Sequence, residues 1–393
     1  MKTKHCLNML SLVIVYLIVT FAVFTPKSLL MKQIAVSDKV LLQLSKNLPI
    51  LGLESTIITH GLPYPTNVET QLKLEQISLE NGALPATIAI INGMPTIGLT
   101  PEQIEELGKS ETALKASVHD IQFAKAMNRT ASTTVAATSR LAEQAHINVF
   151  STGGIGGVHR FQDQFEFDVS ADLTELGKTD VLVISAGCKA ILDLQGTVEV
   201  LETNQVLTVG FGVKEMPAFY SRSSGIKLDY MINTAQEAAQ IYDAGINKRG
   251  YLLFNPIPVE FEIKKEEIEP EILKVLANMP KSVKGKAVTP YLLKAMSEIT
   301  GNRSIVANLA LIENNVRVGA KIANEIKQIE GFNMFKNPVF FVCGQYAIHE
   351  LQEVLISLVL GLVLVKIAKC ACKNKKPCAN KQCCRMQENS DKV

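Results

Sequence analysis

The chain has 393 residues, with 47% hydrophobic and 20% charged side chains, so most of it can bury a core. Forty basic against thirty-eight acidic residues leave a formal charge of +2. No field of one sign is available to draw in a polyanion, which excludes a nucleic-acid binder of the usual kind and favours a small-molecule substrate.

From His5 to Pro26 there is no Lys, Arg, Asp or Glu, and Lys2, Lys4 and Lys27 flank the run. Its length suits a membrane-spanning helix. It lacks the small-residue cleavage site of a signal peptide and the arginines of a mitochondrial presequence. Two readings stand: a membrane anchor through residues 6–26, or an extension ahead of a start at Met31. The second leaves the central region cytoplasmic, with mitochondrial placement as an alternative. Residues 331–393 differ again, with an uncharged run over 354–365 too short to span a bilayer comfortably. Six of the eight cysteines lie in that stretch, from Cys343 to Cys384, in a Lys-rich setting. Disorder, acylation and zinc binding are its three readings. The remaining cysteines, Cys6 and Cys188, provide no disulfide framework for the centre, as suits a reducing compartment.

Between these ends, residues 31–330 alternate β-branched runs with helical patterns, predicting a single large α/β/α domain with a mixed sheet. ATIAII (86–91) reads as a buried strand, Asn92-Gly93 as a turn and PTIGL as its partner. Thr100-Pro101-Glu102-Gln103 has the N-cap, first-turn proline and reciprocal Gln of a helix start. A helix over 137–146 and strands over 148–152, 181–187, 205–212 and 251–258 follow. Ligands of open α/β sheets bind beyond the carboxyl ends of the strands, where several of these runs meet Gly, Ser or Asn.

Four segments carry candidate chemistry. LESTIITHGLPYPTN (53–67) places Glu54 and His60 beside a Pro-rich turn. Glu54 reads as a general acid or base, or as a solvated carboxylate; His60 reads as its partner or as a structural histidine. STGGIGGVHR (151–160) reads as a phosphate cradle or as a tight turn. In FDVSADL (167–173), Ser170 reads as the cap of a helix starting at Ala171, with Asp172 in its first turn. Asp168 offers a hard oxygen ligand for Mn²⁺ or Mg²⁺. In SAGCKAILDL (185–194), the helical pattern puts Lys189 in a first turn; it reads as a lysine bent away into solvent, or as one whose ammonium the macrodipole disfavours, leaving the amine that forms a Schiff base.

Together with LPATIAIING, FNPIP, TPYLL (289–293) and ANLALIENN (307–315), these segments resemble the pseudouridine-5′-phosphate glycosidase, or indigoidine-synthase-A-like, family over 36–329. The resemblance implies cleavage of pseudouridine 5′-phosphate to uracil and ribose 5-phosphate by a homotrimer that uses Mn²⁺ or another divalent cation. It implies Lys189 as the Schiff-base lysine, Glu54 as the proton donor and Asp168 as the metal ligand. Lys115, Val135, Ser170, Ala171 and Asp172 match substrate contacts, Asn308 a residue near the uracil, and His159 a neighbour of the site. FQDQFEF (161–167) is one residue longer than the family spacing, and Cys188 stands where Ala or Ser is commoner. The alternatives are a relative acting on another C-glycoside phosphate and a non-catalytic, membrane-tethered binding protein.

Overall fold

The computed structural model describes residues 33–160, 168–245, 250–280, 282–283 and 285–336. The apolar N-terminal segment, the FQDQFEF insertion and the Cys-rich tail lie outside the described residues. The strands, in chain order, are β1 (Ala35–Val36), β2 (Ile50–Leu53), β3 (Leu84–Ile91), β4 (Met94–Ile97), β5 (Leu114–Ala116), β6 (Ala131–Thr133), β7 (Val149–Ser151), β8 (Val158–His159), β9 (Leu182–Ser185), β10 (Leu192–Asp193), β11 (Leu207–Phe211), β12 (Tyr230–Ile232) and β13 (Tyr251–Phe254). One large sheet runs β1-β4-β3-β2-β7-β9-β13-β11-β12, with β6 paired to β3 and β5 to β6. From β3 through β2, β7, β9, β13 and β11 to β12 every pair is parallel, while β4 and β6 run antiparallel to β3. The sheet is therefore mixed, as the sequence predicts.

Local chemistry accounts for the elements. Buried on both faces, the central strands are continuous apolar runs: every residue of Leu182–Ser185 and Tyr251–Phe254 is buried. Asn92 and Gly93 both take positive φ, joining β3 to β4 as the Asn-Gly pair requires. At Thr100 the expected capping box forms, its hydroxyl accepting from the Gln103 N–H while the Gln103 side chain accepts from Thr100 N–H.

The 34-residue helix Arg303–Lys336 lies across β2, β7 and β9. It approaches the sheet closely at Gly319, where an added Cβ would sit 2.1 Å from Ser151 Oγ and 3.0 Å from Leu51. Ser151 Oγ donates to the Asn315 carbonyl at 3.0 Å. The Asn315 side chain, fully buried, donates to Thr152 O at 2.7 Å and accepts from Asn255 at 2.9 Å. The helix is thus fastened to the ends of β7 and β13, where the candidate residues emerge. Among the described residues, no helix is long and apolar enough to cross a membrane.

Gly319→Ala should lower stability by roughly 1–3 kcal/mol through overpacking, outweighing the gain in helix propensity of about 1 kcal/mol. The methyl would turn the buried Ser151 hydroxyl away from the Asn315 carbonyl and cost it that hydrogen bond; urea unfolding of the variant against wild type measures the difference.

Candidate active site

Parallel registry delivers the site. Leu53 of β2 is level with Ser151 of β7, and Ser151 with Ile184 of β9, so the three strands end together. The residues that follow them are Glu54, the loop Thr152–Gly157, and the segment Gly187–Lys189. Above these ends lies a cavity of about 340 Å³. Glu54, Lys115, Val135, His159, Asp168, Ser170, Ala171, Asp172, Lys189 and Asn308 all line it. The structure thus gathers every site residue expected from the sequence at one place. Thr289, Pro290 and Leu293, from the helix Val288–Ile299, add an apolar wall.

The Gly-rich loop is a packing element. A Cβ at Gly154 would lie 2.5 Å from the Phe219 ring, one at Gly156 2.3 Å from Ser170 Oγ, and one at Gly157 2.3 Å from Thr197 Oγ1. Its N–H groups are engaged internally: Ile155 donates to Gly187 O at 3.1 Å, Gly156 to Asp172 Oδ2 at 2.9 Å and Val158 to Thr197 Oγ1 at 2.9 Å. The tight-turn reading therefore holds over the phosphate cradle for these residues. Asp172 is buried, and its second oxygen accepts from Ala136 N–H at 2.9 Å. Its carboxylate ties the loop to the start of the helix Val135–Gln144. Ser170 caps the helix Ala171–Leu176 through Asp172 N–H at 3.2 Å, as expected.

Lys189 does not sit in a helix. After β9, Gly187 takes φ +98, and a side chain there would meet Pro217 O at 1.9 Å. Cys188 bridges to Ile155, Lys189 N–H donates to Ile155 O at 3.2 Å, and Leu192–Asp193 pairs with His159–Val158. The helix begins only at Leu194, capped by Asp193 through Gly196 N–H at 3.0 Å. Pairing with the Gly-rich loop and β8 overrides the helical pattern of CKAILDL, so Lys189 does not stand in the first turn of a helix. Its Nζ instead donates to Gly154 O at 3.0 Å, which holds the side chain in the cavity.

Burial pushes the Glu54 carboxyl above the usual carboxylate range, opposed by the nearby Lys189 and by a hydrogen bond donated from Thr152. Asp172 adds a further upward push. Glu54 is therefore poised as a proton carrier with Thr152, not His60, as its hydrogen-bond partner. Thr152 and Asn315 are site-forming residues that no spacing rule singles out, because each acts through a contact distant in sequence.

Asp168 projects a part-exposed carboxylate at the cavity wall, with His159 Nε2 4.0 Å from Oδ2. Burial lowers the His159 pKa, against the pull of Asp168. Among the described residues no group of three or more His, Cys, Asp and Glu is arranged to hold a metal. One solvent-facing hard oxygen beside an imidazole fits a cation such as Mn²⁺ or Mg²⁺ that keeps most of its water, and does not fit a structural zinc.

The family model described as indigoidine synthase A like protein matches residues 39–325. A pseudouridine-5′-phosphate glycosidase of Caldanaerobacter subterraneus subsp. tengcongensis is 47% identical over 301 residues, covering 75% of this chain and 97% of that protein. One from Legionella pneumophila is 47% identical over 291 residues, covering 73% and 94%. Among solved structures, an indigoidine synthase A-like protein from Thermotoga maritima matches with TM-score 0.68 and 36% identity, covering 75% of this chain and 97% of that one. The prealnumycin C-glycosynthase AlnA, in complex with ribulose 5-phosphate, matches with TM-score 0.70 and 33% identity, covering 76% and 98%.

The raised Glu54 pKa has a stability consequence of definite sign. A carboxyl whose folded pKa lies above its unfolded value stabilises the fold below the unfolded pKa, and that contribution is lost as pH rises through the folded pKa. Glu54→Gln should therefore match wild type near pH 4 and become progressively more stable than it toward neutral pH, as read from melting curves across that range.

Proposed function

Because this chain belongs to the indigoidine synthase A-like family, we propose that it cleaves the carbon–carbon glycosidic bond of pseudouridine 5′-phosphate. The products are uracil and ribose 5-phosphate, and the reaction is reversible. The observation that carries the proposal is the placing of Glu54 and Lys189 in one cavity, electrostatically coupled, in a chain that spans nearly the whole length of the glycosidases it resembles.

A C-glycoside has no leaving heteroatom to protonate, so the two-carboxylate route of ordinary glycosidases does not operate directly. The Lys189 amine bonds to C1′ as the ring oxygen leaves it, and the proton that the nitrogen gives up goes to that oxygen, opening the ribose. The nitrogen lone pair then forms the imine as the C1′–C5 bond breaks, and Glu54 delivers a proton to the departing uracil carbon. Water hydrolyses the imine, releasing ribose 5-phosphate and the free lysine. Glu54 suits this role because burial keeps its proton to higher pH than an exposed carboxyl would. The Gly154 carbonyl aims Nζ within the cavity. Lys115 and the backbone of the Ser170–Asp172 segment, which line the cavity together with Val135, hold the 5′-phosphate. The apolar wall of Pro290 and Leu293 keeps bulk water from the reacting carbons.

Asp168, with His159 beside it, would hold the divalent cation, Mn²⁺ in this reading, which when bound supplies positive charge against the developing negative charge of the substrate. A homotrimer is part of the same proposal. It is supported by the outer strand β12, where Tyr230 and Met231 are exposed on a sheet edge suited to cover by another copy. A second reading, another C-glycoside phosphate as substrate, is favoured by the likeness to a C-glycosynthase.

Uracil release from pseudouridine 5′-phosphate, with and without Mn²⁺, tests the proposal. Metal-dependent release is expected; none from folded, Mn²⁺-loaded protein would move the assignment to another C-glycoside phosphate. Lys189→Ala should abolish turnover and borohydride trapping of ribose 5-phosphate. Glu54→Ala should cost roughly 10²–10⁴ in kcat, and a wild-type rate would remove Glu54 from the mechanism.

A further inference from the structure

His60 lines the cavity yet has no part in the chemistry above. It belongs to the π-helical turn Ile57–Gly61 that follows Glu54. Such turns are rare and often sit at functional sites. The ring Nδ1 lies 2.5 Å from Thr59 Oγ1. Thr59 Oγ1 donates to Ser132 Oγ at 2.6 Å, and Ser132 Oγ donates to the Leu114 carbonyl over a longer 3.4 Å.

The far end of this relay sets its direction. A carbonyl oxygen only accepts, so the single hydroxyl proton of Ser132 points at Leu114. Ser132 Oγ then accepts from Thr59, whose one proton is likewise committed. The proton between Thr59 and His60 must come from Nδ1. An imidazole that is neutral with its proton on Nδ1 carries a bare lone pair on Nε2. Neutrality has independent support, since burial and the nearby Lys115 ammonium both lower the His60 pKa. With the Nδ1 edge turned to Thr59, the Nε2 edge is what the ring has left for the cavity.

From this relay we infer that His60 is a further substrate-contacting residue, fixed as the Nδ1–H tautomer and accepting at Nε2 a hydrogen bond from a hydroxyl of the phosphorylated pentose. The inference rests on the glycosidase reading for the identity of the pentose. The chemical class follows from the lone pair and from position: a phosphate dianion and pyrimidine carbonyl oxygens have no proton to offer, and of the groups that do, the sugar hydroxyls lie nearer the phosphate than the pyrimidine N–H groups. Position agrees, because Lys115, assigned to the phosphate, is the charged neighbour of His60. The pentose is the part of the substrate that adjoins the phosphate.

Two substitutions separate this role from a purely structural one. His60→Asn places an amide nitrogen where Nδ1 was, preserving donation to Thr59 and deleting Nε2. His60→Gln reaches the Nε2 position and abandons Thr59. The Asn variant should melt as wild type does yet lose roughly ten- to a hundredfold in kcat/KM for pseudouridine 5′-phosphate, with Gln recovering part of the loss. The reverse order, Asn near wild type and Gln impaired, would overturn the inference. Wild type in the same assay tests the reaction itself, so a failure there is recognised separately. The tautomer is read without turnover, from ¹⁵N NMR signals assigned by their absence in His60→Asn. A pyrrole-type Nδ1 and a pyridine-type Nε2 that shifts on adding ribose 5-phosphate are expected. A proton on Nε2, or no shift at saturating ribose 5-phosphate, sinks the proposal whatever the activity.

Discussion

At Gly154, Gly156 and Gly157 the loop backbone approaches three other segments at distances that leave no room for a Cβ, and the site takes its geometry from that contact. On one side the loop meets Ser170 and Asp172, on another Thr197, and on a third Phe219 and the Gly187 carbonyl. The Gly154 carbonyl aims Lys189, and Ile155 pairs with Cys188, the residue before it. A close-packed interior does not absorb an added methyl group by small shifts. These glycines are thus fixed by packing, and Lys189 is positioned as a consequence.

The carboxyl ends of β2, β7 and β9 supply the second constraint. Parallel pairing in level register makes residues about 100 and 135 positions downstream of Glu54 its immediate neighbours: Thr152 as hydrogen-bond donor and Lys189 as electrostatic partner. Burial raises the cost of ionising Glu54, and the ammonium beside it reduces that cost. Above them, Asn308 belongs to the same helix as Asn315, whose buried amide bridges Asn255 to Thr152 and Gly153. One helix therefore lines the cavity and fastens the strand ends that build it.

Family membership and the solved relatives agree on this scaffold while differing in what their names say they do. The glycosidases are named for a C-glycoside phosphate, and AlnA is a C-glycosynthase bound to ribulose 5-phosphate. A carbon–carbon bond to a phosphorylated pentose is the chemistry they share. A cavity with a cationic side, a carboxyl–amine pair at its floor and an apolar wall suits either direction of such a reaction.

By itself the sequence determined the alternation of strands and helices, the hairpin at Asn92-Gly93, the caps at Thr100 and Ser170, and the ten residues gathered at the site. Each depends on local pattern, turn chemistry or a motif that survives being read in one dimension. Tertiary structure alone decided the state of Lys189: CKAILDL has helical spacing, but pairing with β8 and the Gly-rich loop keeps it out of a helix until Leu194, through a turn at Ala190-Ile191. It also decided that Glu54 answers to Thr152 rather than to His60, and that the N–H groups of Ile155, Gly156 and Val158 turn inward instead of toward a phosphate. The proton order from His60 to Leu114 depends on Ser132, some seventy residues downstream of Thr59. Contacts of that separation are set by sheet registry, which no spacing along the chain encodes.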